Sequence, residues 1–243
     1  MHPRELPLME THRFLTPALA GRKRILDVGC GRGLLAAKLG SDGFAVTALD
    51  RSLASLEVRD TPRVTFIERD FLEYEAEPFE AILFVTSLHH IPDLDRALLR
   101  AHQLLLPGGL LIAEEFALEA PDVHTARWYY EVQELLALGG LYPHHHHQHT
   151  HASSAQSPQA RWGDEHAETP PLHTGEAMTM AVKKRFGLLE ATPGPFLYRH
   201  ICHGMEATER GGNLAQYLLD AEKRRIAEGT LRPVGLRLLA QKL

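Results

Sequence analysis

Between residues 25 and 115 the chain alternates short apolar runs with segments of helical period. Ile25–Val28, Phe44–Leu49, Val64–Glu68, Pro78–Val85 and Leu110–Glu115 read as buried strands, rich in β-branched and aromatic residues. The fourth is a nearly continuous apolar run, as a central parallel strand requires. Residues 94, 97, 98, 101, 104 and 105 are apolar with i, i+3, i+4 spacing, which predicts an amphipathic helix over 94–106. Shorter helices are predicted over Leu34–Leu39, stopped near Gly40–Gly43, and from Ser52 through Glu57. Pro107-Gly108-Gly109 predicts a turn into the fifth strand. Ahead of this core, Glu10–Leu19 has helical character, either over a pocket or over a sheet edge. Strand alternating with helix predicts a parallel sheet with right-handed crossovers and helices on both faces.

The second half is less regular. Val123–Leu138 predicts a helix carrying Trp128, Tyr129 and Tyr130. Pro143, a histidine-rich run from His144 to His151 and a Ser-rich stretch to Pro158 predict a flexible polar loop, with order resuming at Trp162–His166. Thr174–Phe186 predicts a helix. Leu188–Ala191 with Phe196–Ile201 predicts a sixth strand, Asn213–Glu228 another helix, and Leu236–Ala240 a terminal strand. The expected organisation is a leading helical segment (1–24), a Rossmann-like core (25–116), a lid insertion (117–172) and the C-terminal part of the core (173–243).

The turn after the first strand carries the chemistry. Asp27-Val28-Gly29-Cys30-Gly31-Arg32-Gly33 places three glycines at alternate positions between a strand and a helix, a geometry that admits a nucleotide. A dinucleotide fingerprint needs glycine at position 34, where this chain has Leu34. Asp50 ends the second strand 17 residues past Gly33, where a carboxylate accepts from both hydroxyls of a ribose; capping of the next helix is the other reading of it.

With these motifs in order, residues 25–115 resemble class I S-adenosylmethionine-dependent methyltransferases, and Leu88-His89-His90-Ile91-Pro92 is close to the ubiquinone-biosynthesis type. The resemblance implies a doubly wound seven-stranded α/β sheet, order 3-2-1-4-5-7-6, with the last strand antiparallel. It implies S-adenosylmethionine as cofactor, held by Asp27, Gly29, Cys30, Gly31, Gly33, Asp50, Arg51, Asp70, Phe71 and Val85, with Asp70 on the adenine amino group and Phe71 packed on the ring. The acid near the start of the fourth strand, often Asp in the family, is Glu80 here. His89 and His90 are candidate general bases or else pocket-lining and helix-capping residues. Trp128, Tyr129 and Tyr130 are candidate acceptor contacts, with core packing of their helix an equal reading; His166 and His173 are further candidates.

Composition narrows the partners. Apolar residues make up 44% and charged residues 23%, and the formal net charge is -5, which disfavours a broad nucleic-acid footprint. No Asn/Asp-Pro-Pro-aromatic motif follows the fourth strand, which also disfavours a nucleic-acid base as acceptor. Only Cys30 and Cys202 are present, so no disulfide framework is expected. No apolar run approaches the ~20 residues of a membrane span, and no signal segment opens the chain, so a cytoplasmic protein acting on a small molecule is expected. The histidine run is read as adventitious metal affinity, with no metal site. The competing readings are a non-catalytic S-adenosylmethionine-binding protein and a nicotinamide-dependent oxidoreductase.

Overall fold

The computed structural model describes residues 2–142 and 157–243. The histidine run and most of the polar loop lie outside the described residues. Seven strands form one sheet: β1 (Arg24–Val28), β2 (Ala45–Asp50), β3 (Val64–Glu68), β4 (Phe79–Val85), β5 (Leu105–Phe116), β6 (Gly187–Gly194) and β7 (Gly235–Gln241). Their order is β3-β2-β1-β4-β5-β7-β6, as expected. β1 pairs in parallel with β2 and β4, β2 with β3, and β4 with β5. β7 runs antiparallel to β5: Gly108 N–H donates to the Lys242 carbonyl, and Lys242 N–H to that of Gly109.

Strand alternation sorts the core into two layers. Leu26, Ile82, Phe84, Leu111 and Leu238 pack with Leu94, Leu98 and Ala101 of α3 (Leu94–Leu104) and with Met178 and Val182 of α6 (Gly175–Arg185). On the opposite face Ile25, Val46, Ala81, Leu83 and Ile112 pack with Ala36 and Leu39 of α2 (Leu34–Ser41) and with Leu15 and Leu19 at the end of α1 (Glu5–Ala18) and just beyond it. α3 starts where Asp93 accepts from Arg96 N–H, and α6 where Thr174 accepts from Ala177 N–H.

Three local expectations are corrected. Ser52–Glu57 is not helical; residues 51–63 form an irregular connection. Leu56 and Val58 from that connection sit against Gly33, and Arg32 holds Glu57 through two hydrogen bonds of 2.5 and 2.7 Å, so long-range contacts outweigh the local helical pattern. Pro107-Gly108-Gly109 lies inside β5, where the ladder with β4 shifts register, rather than in a turn before it. Phe196–Ile201 enters α7 (Leu197–Gly204), not a strand. The buried Glu222 carboxylate accepts from the N–H groups of Phe196, Leu197 and Tyr198, which satisfies the first turn of that helix.

The chain divides into two compact units. The sheet unit takes residues 10–116, 173–192 and 236–243; a helical unit takes 1–9, 117–172 and 193–235. The helical unit contains α4 (Val123–Leu138), α5 (Pro158–Glu165), α7 and α8 (Glu209–Ala227). Its aromatic centre is Tyr129, edge-on to Trp162 at 5.3 Å and to Tyr130 at 5.2 Å. Among the described residues no helix is long and apolar enough to cross a membrane.

Candidate active site

The sheet reverses its strand order between β1 and β4, and the carboxyl ends of those strands open a crevice there. A cavity of about 250 Å³ occupies it, walled by the ends of β1 and β2 and by residues following β1, β2, β3 and β4. Of the residues expected to hold the cofactor, Gly29, Asp50, Arg51, Asp70 and Phe71 line this cavity. Asp27, Cys30, Gly31, Gly33 and Val85 are not among the residues that line it.

Each glycine has its own reason. Gly29 (φ +76) faces Ser87: a Cβ there would lie 2.6 Å from Ser87 Cβ. Gly31 (φ +50) would carry its Cβ into open space, and its N–H donates to Asp50 Oδ2 at 2.8 Å. Gly33 (φ +77) makes room for Leu56, Val58 and Phe66, so the third glycine serves the fold directly.

Asp50 is fixed by that bond and by Ser52 N–H on Oδ1 at 3.2 Å. Each oxygen keeps a further lone pair, enough for two ribose hydroxyls. No helix follows at once for Asp50 to cap. Asp70 accepts from Leu72 N–H through Oδ1 at 2.8 Å and caps the short 3-10 turn Phe71–Glu73. The Phe71 ring is buried and packs edge-on against Phe84 at 5.5 Å. Asp27 is fully buried, its Oδ2 has no hydrogen-bond partner among the described residues, and burial, with Asp50 nearby, pushes its pKa up to about 7. Burial, then Asp27 and Asp50, push the Cys30 thiol up to about 12, which keeps it from acting as a thiolate.

The two histidines part company. His90 is exposed and lines the cavity. His89 is buried, and its Nδ1 is hydrogen-bonded to Glu115 Oε2. Glu115 Oε1 also accepts from the N–H groups of Ser87 at 3.1 Å and Leu88 at 2.8 Å. His173 N–H donates to the His89 carbonyl, and His173 Nε2 to that of Ile91, which secures the segment from the other side. Thr86, a β-branched residue at φ 53, marks backbone strain at the strand end.

Glu80 lies at the other end of β4, away from the carboxyl ends. It accepts from the N–H groups of Lys23 and Arg24, and those bonds hold its carboxyl below the usual range. Trp128, Tyr129 and His166 belong to the helical unit. Tyr129 is buried among aromatic rings, and His166 stacks on Trp162 at 4.1 Å with burial lowering its pKa.

Arg69, Leu72, Thr86, Ser87, Ile91 and Pro92 also line the cavity and were not singled out from sequence. Their signal was position, within a few residues past the ends of β3 and β4.

A family model described as a methyltransferase domain matches residues 2–162. The chain belongs to this family. The methyltransferase domain matches the mouse mitochondrial protein named arginine-hydroxylase NDUFAF5 at 29% identity over 124 residues, 49% of this chain and 36% of that protein. It matches the ubiquinone biosynthesis O-methyltransferase of Histophilus somni at 33% over 103 residues, 37% of this chain and 43% of that enzyme. The chain spans about a third of the length of the first of these curated relatives. The N-methyltransferase NodS of Bradyrhizobium japonicum, solved with S-adenosyl-L-homocysteine, superposes with TM-score 0.52 at 13% identity, covering 99% of this chain and 88% of that one. That likeness is one of fold.

The residues of the methyltransferase domain fit the family's cofactor. An orphaned buried carboxylate oxygen on Asp27 suits a cation, and an oriented carboxylate on Asp50 suits a diol.

Proposed function

We propose that the protein transfers a methyl group from S-adenosylmethionine to a small-molecule acceptor. The observation that carries this reading is Asp50, oriented by the glycine turn and facing the cavity at the switch in strand order. When bound, S-adenosylmethionine supplies an electrophilic methyl on a sulfonium. Asp50 and Asp70 would hold the adenosine, Gly29 would meet the cofactor through its backbone on the cavity wall, and Asp27 would compensate positive charge. Alignment of donor and acceptor accounts for about 7–11 kcal/mol of barrier lowering in well-oriented systems, so the residues' main work is positioning. His90, on the cavity wall, is the side chain proposed to take a proton from the acceptor, and His89 to hold the segment that presents it. Residues 117–172, with Trp128, Tyr129 and His166, are the proposed acceptor-selecting part.

The test is calorimetry with S-adenosylhomocysteine, then incubation with methyl-labelled S-adenosylmethionine and fractionated cell extract. Label in the small-molecule fraction supports the proposal. Binding without transfer to any fraction supports the non-catalytic reading. The relatives named arginine-hydroxylase favour a second reading, a protein arginine as substrate; methyl label confined to the protein fraction and mapped to arginine would support it.

A further inference from the structure

Near its end β5 carries two adjacent buried carboxylates, Glu114 and Glu115, which strand alternation turns to opposite faces. Glu114 is compensated by the Arg237 guanidinium at 2.8 and 2.7 Å. Glu115 is completely buried and has no lysine or arginine partner among the described residues. Its donors come from one short turn: Ser87 N–H, Leu88 N–H and His89 Nδ1. Taking a carboxylate out of water is costly unless its lone pairs are met, so Glu115 and this turn depend on each other.

Because Oε1 accepts from two N–H groups, the carboxylate is in its acceptor form, and His89 donates to it through Nδ1. The His89 ring, fixed in this way, lies against the His90 ring with centroids 4.2 Å apart. His90 N–H in turn donates to the Ser87 carbonyl. Thr86, at φ 53, opens the turn in a strained conformation of the kind that persists only where its surroundings over-determine it. His90 lines the cavity, whereas His89 and Glu115 are not among the residues that do. We infer that Glu115 is a positioning residue for the proposed methyl transfer: it fixes the Ser87–His90 turn and, through the His89 ring, holds the His90 imidazole on the cavity wall. Its own oxygens are committed to the turn, so it acts through His90.

This rests on the methyl-transfer reading, and the experiment separates the two. The full chain is given methyl-labelled S-adenosylmethionine and the extract fraction that accepts label with wild type. Initial rates are compared for Glu115→Ala, His90→Ala and the double variant. His90→Ala should be slower by about a hundredfold or more, as for a lost general base. Glu115→Ala should be slower by about tenfold or more, while its affinity for S-adenosylhomocysteine in calorimetry stays within about threefold of wild type. The losses should not multiply: the double variant should lie within about twofold of His90→Ala alone. Glu115→Gln repeats the comparison should the alanine variant not fold, since its amide oxygen still accepts from Ser87 and Leu88 but its NH₂ cannot accept from His89. Multiplied losses, a wild-type rate in the Glu115 variant, or equal falls in rate and cofactor affinity each overturn the inference. Nitrogen NMR of the imidazoles tests it without an acceptor. His89 should carry its proton on Nδ1 in wild type and on Nε2 in Glu115→Gln; a proton on Nε2 alone in wild type also overturns the inference. Absence of transfer by wild type to any fraction defeats the methyl-transfer reading instead.

Discussion

The carboxylates around the glycine turn are held differently by their hydrogen bonds. Asp50 is oriented by two backbone donors and faces the cavity. In the proposed function, replacing it with Ala removes the charged acceptor offered to the two ribose hydroxyls. Affinity for S-adenosylhomocysteine should fall by about 1.5–3 kcal/mol, and calorimetry showing no loss would remove its ribose role. Asp27 is buried with an unpaired oxygen, and its pKa is pushed up to about 7. In the unfolded chain an Asp titrates near ~4. Between those values the native state binds more protons than the unfolded one, so stability declines as pH rises from about 4 to 7. Asp27→Asn abolishes that slope. It should melt at a higher temperature than wild type above pH 7 and at nearly the same temperature at pH 4. If the two melting curves run parallel across this range, Asp27 is already charged and paired by something else.

At the scale of elements, the regular parts of the sheet unit were legible because each rests on a local pattern. The i, i+3, i+4 spacing gave α3, a short apolar run interrupted by Asp27 gave β1, a nearly continuous apolar run gave β4, and Gly40–Gly43 ended α2 within two residues of its observed limit. The elements that were misread depend on distant partners. The 51–63 connection is held by Arg32 and by the space at Gly33, neither visible from its own composition. The Phe196–Ile201 stretch has strand-like composition, yet Glu222, more than twenty residues away, supplies the acceptors that its first helical turn lacks. Removing that carboxylate should therefore act on α7 as a unit. Glu222→Ala strands three buried N–H groups and should lower stability by about 3 kcal/mol or more in urea unfolding. Glu222→Gln, which keeps acceptor capacity, should recover part of that loss. Equal effects of the two substitutions would mean that packing, not acceptance, fixes the helix.

For the molecule as a whole, chain order and spatial order diverge in the sheet unit. Its last strand in sequence, β7, lies between β5 and β6. β7 (Gly235–Gln241) is therefore interior to the sheet. Leu238 and Ala240 are fully buried, Leu236 nearly so, and all three join the core layer that includes α3 and α6. Just past β7, Lys242 Nζ donates to the carbonyls of His102 and Leu105 at 2.7 Å each, closing the end of α3. Each buried leucine contributes about 1.5–3 kcal/mol, and each ladder hydrogen bond about 1 kcal/mol net. A domain of this kind has only about 5–15 kcal/mol in total. Ending the chain at Val234 should thus abolish cooperative unfolding of the sheet unit, although β1 to β5 and the cavity wall remain in the sequence. The measurement is thermal unfolding followed by near-ultraviolet circular dichroism, with S-adenosylhomocysteine binding as the second readout. The shortened chain should give no sharp transition and no binding. A normal melt with binding retained would show that the first five strands suffice to build the site, and that β7 is an addition to a sheet already stable without it.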